Sequence, residues 1–449
     1  MALLAVMLAM ADSVTPERAL SMAQAFMSGG KATFCASEDV SLKLAYQAHS
    51  LEGKPDYYVF NRGNGGGYIV VTGDDRTLPV WGYSTSGSFD YESMPDNAKW
   101  WFSEYQRQLE YLREHPEAKA RQAITLSRSV DALMKTSWDQ CAPYNYYCPT
   151  AHTKDWNEYV NKACTGCVAT ALAQIMYYHK WPTVGTGSIH YSCDVTFYEL
   201  NPYWSEILDI DKYDKKSYTA YLGADFSKSA YKWDLMKNEY KTTIVSEDTY
   251  KCYYKDEDDY WVEIDFSSSM SSGLAVAKLM SDVGIAVQMD YGASGIGSYS
   301  NIETAKTAME NYFQYSAELK WRDDEESTYV VDGSWDQRLR EEIDDGKPIY
   351  YRGTDNAAGG HAFVLDGYDD EGRFHVNWGW SGDHNDVYYY SSLLNPSYNF
   401  KTNHAALFLT PDKDHKSLSV AMPKGNAGKV LKGGVKANLP FTVYGNNLD

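Results

Sequence analysis

The chain has 449 residues, long enough for two or three domains, and its 44% hydrophobic content is enough for a sizeable core. With 61 acidic against 41 basic residues the formal net charge is −20, which argues against nucleic acid or any other polyanionic partner, because phosphate binding needs an excess of Lys and Arg. The 39 tyrosines and 13 tryptophans point to a strand-rich protein packed with aromatic rings.

Residues 2–10 form a short apolar run, and Ala9 and Ala11 precede a cut site ahead of Asp12. This is the pattern of an export signal over residues 1–11; it is too short to span a bilayer, so a secreted protein without a membrane span is expected. Residues 15–27 read as an amphipathic helix, with Thr15, Pro16 and Glu17 as cap and first turn. Strand-like runs follow at 42–46, 57–60 and 68–71, the last two joined through the glycine-rich segment 63–67. Residues 96–114 look helical and carry Trp100, Trp101, Phe102, Tyr105, Leu109 and Leu112. The polar stretch 115–122, followed by Arg128, reads as an exposed boundary open to proteolysis. It separates a first domain over 12–125 from a larger α+β unit over 126–411.

In that unit a loop of small residues turns into an apolar helix at Cys164-Thr165-Gly166-Cys167, and Val168, Ala171, Leu172, Ile175 and Met176 follow at helical spacing. A thiol in the first turn of a buried helix lies beside unpaired backbone N–H groups and the positive end of the macrodipole, conditions that favour the thiolate. Free cysteines are also often buried and inert, so the partners decide. The total of seven cysteines leaves at least one thiol unbridged unless a bridge joins two chains. Residues 193–265, rich in Tyr, Asp and Lys, read as a surface insertion; a helix is expected at 274–283, with strands and turns after Pro348. Short apolar runs between glycine turns make 412–449 the start of a β-rich extension.

Partners for the thiol come from three places. His361 opens a short strand after Gly359 and Gly360, which carry no side chain to block a substrate backbone. Residues 374–377 pair with that strand across a turn at 369–372, so His361 and Asn377 are expected side by side. Gln140, shortly before the cysteine helix, offers an amide donor. A thiolate attacks a carbonyl, an imidazole takes and returns the proton, a third group orients the ring, and donors hold the oxyanion. The order Gln140, Cys167, His361, Asn377 is that of papain-like cysteine peptidases.

Four segments, 165–171, 289–295, 359–363 and 377–382, make the chain resemble the streptopain family of secreted bacterial cysteine peptidases. Residues 68–74 and 82–90 are similar to that family's inhibitory propeptide, so the resemblance runs from about residue 15 to 411. It implies an α+β fold: a papain-like catalytic domain, one half helical and one half antiparallel β, behind a small α+β prodomain. It also implies Cys167 as nucleophile, His361 as general base and acid, and Gln140 with the Cys167 N–H as oxyanion hole. Asn377 would orient His361, Trp378 would cover the pair against water, and Ser294 and Gly360 would line the substrate cleft. Protein or peptide substrates with an apolar side chain two residues before the scissile bond are expected, with no cofactor and no metal. The chain's own propeptide would inhibit it by disturbing the histidine, until a cut between about 117 and 131, near Lys119, Arg121 or Arg128, releases it.

Competing readings explain less. The C-x-x-C at Cys164 and Cys167 suits redox chemistry, and Cys141 and Cys148 would complete a structural zinc site, but neither accounts for Gly359-Gly360-His361 or for Asn377-Trp378-Gly379-Trp380. Cys164 departs from the family pattern, and it is expected to bridge Cys141 or Cys148 or to form a reversible protective disulfide. A non-catalytic adhesin-like relative would have lost a catalytic position, and every one is present here. His179, His190 and His375 read as structural or exposed, and the acidic run 256–259 as a solvated loop.

Overall fold

The first apolar runs fold, in the computed structural model, as an antiparallel sheet clasped between two helices. Described are residues 13–28, 41–63, 65–94, 96–152, 161–204, 211–246, 249–322, 334–355, 359–382, 387–395 and 403–413, with two short strands beyond. The expected export signal and Cys35 lie outside them. Helix α1 (Pro16–Ser28) is followed by β1 (Leu42–His49), β2 (Pro55–Arg62), β3 (Tyr68–Thr72), β4 (Val80–Ser84) and α2 (Asp96–Glu114). Alternate strand residues face opposite ways. On one face Tyr58, Phe60, Ile69 and Val71 meet Ala19 and Ala23 of α1; on the other Tyr57, Val59, Val70 and Trp81 meet the aromatic face of α2. Both faces being covered, β3 and β4 are buried throughout.

The second unit opens with α3 (Cys167–His179), followed by β5 (Ser188–Leu200), β6 (Tyr213–Asp225), β7 (Tyr240–Ser246), β8 (Thr249–Lys255) and β9 (Trp261–Glu263). Then come α4 (Ser272–Ala286), β10 (Tyr291–Gly292), α5 (Ile302–Tyr312), β11 (Tyr315–Trp321) and α6 (Trp335–Asp344). The β half is completed by β12 (Ile349–Asp355), β13 (Gly359–Tyr368), β14 (Phe374–Asn377), β15 (Val387–Tyr389) and β16 (Ala405–Pro411), and the tail adds the ladder of β17 (Leu418–Ala421) and β18 (Thr442–Gly445). Helix α3 is buried from Val168 to Tyr177 and ends where Lys180 takes a left-handed conformation, its N–H reaching the Tyr177 carbonyl at 3.2 Å. The segment read as a surface insertion is part of the core: Cys193, Val195, Phe226, Tyr231, Tyr240 and Cys252 are buried in the same cluster as α3. Its alternation of apolar and polar residues is that of strands half-buried on one face, and high polar content conceals this.

The two units share one sheet. Its order is β1-β2-β3-β4-β15-β14-β13-β12-β16-β11, a single ten-stranded array. The joint is antiparallel pairing of β4 with β15, Gly82 opposite Tyr389 and Tyr83 opposite Tyr388. The hydroxyls of Tyr68 and Tyr389 meet across it at 2.8 Å. Helix α2 lies over the far side of the joint, where Trp100 packs so closely on β12 that a Cβ on Gly353 would stand 1.8 Å from its ring. Only glycine fits there.

The connecting segment is strapped to the β half rather than free. The Arg121 N–H donates to the Leu393 carbonyl at 2.8 Å, Leu126 to Asp370 at 2.7 Å, Val130 to Tyr368 at 2.9 Å and Leu133 to Asp366 at 2.9 Å. Arg121, expected at an exposed cut site, is buried: its guanidinium pairs with Asp336, donates to the Ser392 carbonyl at 2.8 Å and lies 4.9 Å from the Tyr390 ring centre. A charge so satisfied stays inside. Around it, residues 122–129 are exposed apart from the half-buried Leu126.

Candidate active site

Cys167 begins α3 because the residue before it, Gly166, turns the chain at φ 85°, and a Cβ there would meet Met289 at 2.9 Å and the Ser298 carbonyl at 3.0 Å. The loop leading in is pinned from both sides. Thr165 donates to the Gln140 carbonyl at 2.9 Å, Cys164 donates to the Gly292 carbonyl at 2.9 Å, and the Ser298 hydroxyl donates to the Cys164 carbonyl at 2.7 Å. Gly292 and Ser298 are held in turn by β10, whose parallel pairing with β5 sets Gly292 opposite Thr196. These bonds bring the 140, 164–167 and 291–298 segments, distant in sequence, to one point.

A cavity of about 470 Å³ opens at that point, with Gln140, Cys167, Ser294 and His361 in its lining. These four expected residues are therefore together. Burial pushes the Cys167 thiol above its ordinary pKa; against this, the backbone N–H groups of Ala362, Val168 and Cys167 itself, and then the Arg352 charge, favour the thiolate. Ala362 directly follows His361, so the strand that carries the imidazole also carries one of these N–H groups. Gly360 stands beside His361 at the start of β13, opposite Thr354.

Two expectations are corrected. Asn377 faces Val364, not His361, in the β13–β14 register. Its Oδ1 accepts from Gln174 at 3.2 Å and from the Gly379 N–H at 3.1 Å, and its Nδ2 donates to the Thr136 carbonyl at 2.8 Å. The register counted from Tyr368 opposite Phe374 carries Asn377 to within three positions of His361 along β13, and the bulge between Leu365 and Gly367 moves it by only one position. The amide thus ties α3 to the β half rather than orienting His361. Trp378 is likewise away from the cavity: it lies 4.9 Å from Phe363 and 5.9 Å from Trp101 of α2, measured between ring centres. The chain turns at Gly379 (φ 76°), and it is Trp380 that lines the cavity. Trp380 stands in the same motif, so the signal was present but did not say which indole faces the cleft.

The cysteines differ from expectation as well. Among the described residues no disulfide joins Cys164 to Cys141 or Cys148. Cys141 and Cys164 line the cavity together with Cys167, and burial pushes the Cys148 thiol well up, with the nearby Cys164 adding to the effect. His375 is structural, its Nδ1 2.6 Å from buried Asp366, and burial pushes His179 down to about 4. Sequence reading passed over Tyr350 and Arg352 of β12, and the 296–302 stretch beyond Ser294, all of which line the cavity.

The sequence model of the Peptidase C10 family matches residues 138–389, the larger part of the chain and all of this cavity's lining. The chain belongs to that family. A second match, to the Spi protease inhibitor, covers residues 11–109, the sheet and helices of the first unit. The chain is 30% identical to streptopain of Streptococcus pyogenes over 374 residues, which are 82% of this chain and 81% of that protein. It is 29% identical to the thiol protease/hemagglutinin PrtT of Porphyromonas gingivalis over 401 residues, 86% of this chain but 39% of that protein, so it spans well under half of PrtT. Among solved structures, a fragment of Prevotella intermedia prointerpain A aligns with TM-score 0.59 and 26% identity, covering 82% of this chain and 98% of the fragment. This C10 peptidase is a cysteine endopeptidase with a papain-like catalytic unit, and its first unit is the inhibitory propeptide of a zymogen.

Proposed function

We propose that this zymogen is a secreted endopeptidase that cleaves peptide bonds through a Cys167 thiolate and His361. The thiolate attacks the scissile carbonyl, and the oxyanion that forms is held by the Gln140 amide and the Cys167 N–H. His361, protonated when the thiol ionises, passes its proton to the leaving amine as the C–N bond breaks, which leaves a thioester. Water then gives a proton to His361 and attacks the thioester. The C–S bond breaks, and the acid product leaves a regenerated thiolate.

One observation carries the reading: a thiol at a buried helix start, with Gln140, His361 and Ala362 in the same cavity wall. The raised thiol pKa suits a zymogen, since a protonated thiol is a poor nucleophile. Cleavage in the exposed 122–129 segment would cut the tether of the propeptide and so permit its dissociation, and a substrate with an apolar side chain two residues before the scissile bond is the expected choice. The test is cleavage of an unfolded protein under reducing conditions by Cys167→Ser and by Cys164→Ser. Activity should fall at least a thousandfold in the first and stay within about fivefold in the second. Equal losses in both would contradict Cys167 as the nucleophile.

A further inference from the structure

Among the described residues the cavity wall holds one side chain of permanent charge. Apart from His361, its lining is uncharged: cysteines, serines, glycines, Gln140, Asn301, apolar and aromatic residues, and then Arg352. A lone guanidinium in the cleft of a chain with net charge −20 is a local feature set against the field of the whole molecule. Its support is built into the sheet. Arg352 on β12 and Trp321 on β11 are both registered to Ala405 of the strand between them, so all three side chains share one face. The small Ala405 leaves room for the guanidinium to lie 5.3 Å from the centre of the Trp321 ring. A ring face orients a cation without neutralising it. Among the described residues no ion pair joins Arg352 to a carboxylate, and Glu303, at the start of α5, is exposed.

We infer that Arg352 is a specificity-determining residue that receives a substrate carboxylate, so that the mature peptidase prefers chains with Asp or Glu next to the scissile bond. The guanidinium fork offers paired N–H donors that match a carboxylate in the plane, a contact that a neutral amide does not reproduce. Arg352 lines the same cavity wall as Tyr350 and Cys167, which places the acidic residue among those that flank the cleaved bond. The inference rests on the cysteine-peptidase reading above and adds a substrate class to it.

The test compares matched fluorogenic peptides that carry Glu or its isostere Gln at each position flanking the cut, using mature enzyme and its Arg352→Gln and Arg352→Lys variants. At one position the wild-type enzyme should show kcat/KM for the Glu peptide about tenfold or more above Gln, expressed mainly in KM. In Arg352→Gln that ratio should fall to within about threefold of unity. Arg352→Lys should retain part of the preference, which also shows that losses are not misfolding. A Glu-to-Gln ratio near unity at every position in the wild type would overturn the inference. So would an Arg352→Gln enzyme that loses both peptides in equal proportion while the acid limb of its pH profile moves up, because that is the signature of thiolate stabilisation alone. Failure of the mature enzyme to cleave any peptide would instead overturn the catalytic reading beneath it.

Discussion

Trp101 is the ring through which the propeptide grips the catalytic unit, and truncating it should open the zymogen without any cut. It is 2% exposed. Its ring centre lies 5.6 Å from Phe363, 5.9 Å from Trp378 and 5.9 Å from His404, all in the catalytic unit, and 6.2 Å from Tyr105 of its own helix. Replacing a buried Trp by Ala costs roughly 3–5 kcal/mol. Since most of the rings it touches belong to the catalytic unit, we assign half of that, roughly 1.5–2.5 kcal/mol, to docking. At about 1.4 kcal/mol per decade, the population of open zymogen then rises roughly 10- to 60-fold. The assay is hydrolysis of a small fluorogenic peptide by full-length chain, with gels confirming that the propeptide is still attached. Trp101→Ala should exceed the wild-type zymogen by that factor. A rise below about threefold, together with a lower melting temperature, would show that the ring stabilises the propeptide itself, and the docking role would be refuted.

Tryptic digestion of the full-length Cys167→Ala chain should release a catalytic fragment that begins at Ser129, because Arg128 is exposed while Arg121 is buried against Asp336 and Tyr390. N-terminal sequencing that finds Gln122 first would contradict the strapped linker. Acid should loosen the zymogen through His404, which is buried between Trp100, Trp101 and Tyr351. Burial, with Arg322 adding, holds its pKa well below the ordinary value, so its contribution to stability is complete above about 6.5 and is lost as pH falls below that. Melting temperatures of the Cys167→Ala chain should fall between pH 7 and 5, and His404→Gln should flatten that slope; an unchanged slope would remove His404 from the account.

The candidate site was legible because its pieces are short contiguous motifs. A helix start, a glycine pair before a histidine and a glutamine before the helix are each visible within a few residues, and Gln140, Cys167, Ser294 and His361 line one cavity. Helices at 96–114 and 167–179 were readable for a similar reason, since apolar spacing is local. What stayed hidden depends on register. Asn377 was expected beside His361, yet the register of the short β13–β14 hairpin pairs it with Val364, three positions further along the strand. Trp378 and Trp380 are two residues apart, and only the turn at Gly379 decides which one enters the cleft. Arg352 reads in sequence as one cation in a strand, and its importance lies in the uncharged company that the fold assembles around it.

The pairing of β4 with β15 joins residues some three hundred positions apart, and nothing local encodes it. It has a consequence for activation. A cut within 122–129 breaks the tether but none of the contacts that hold the propeptide: the strand ladder from Gly82 to Ser84, the ring cluster around Trp101, and Trp100 seated on Gly353. Gly353 is the strand partner of His361, so the propeptide presses on the strand pair that carries the catalytic imidazole until it leaves. Before the cut, tethering keeps the two units at a high effective concentration; after it, the same interface must hold by affinity alone. Cleavage and activation are therefore separate events. The first changes the concentration term, and the second waits for dissociation, which uncovers Trp378 and the edge of β15 together.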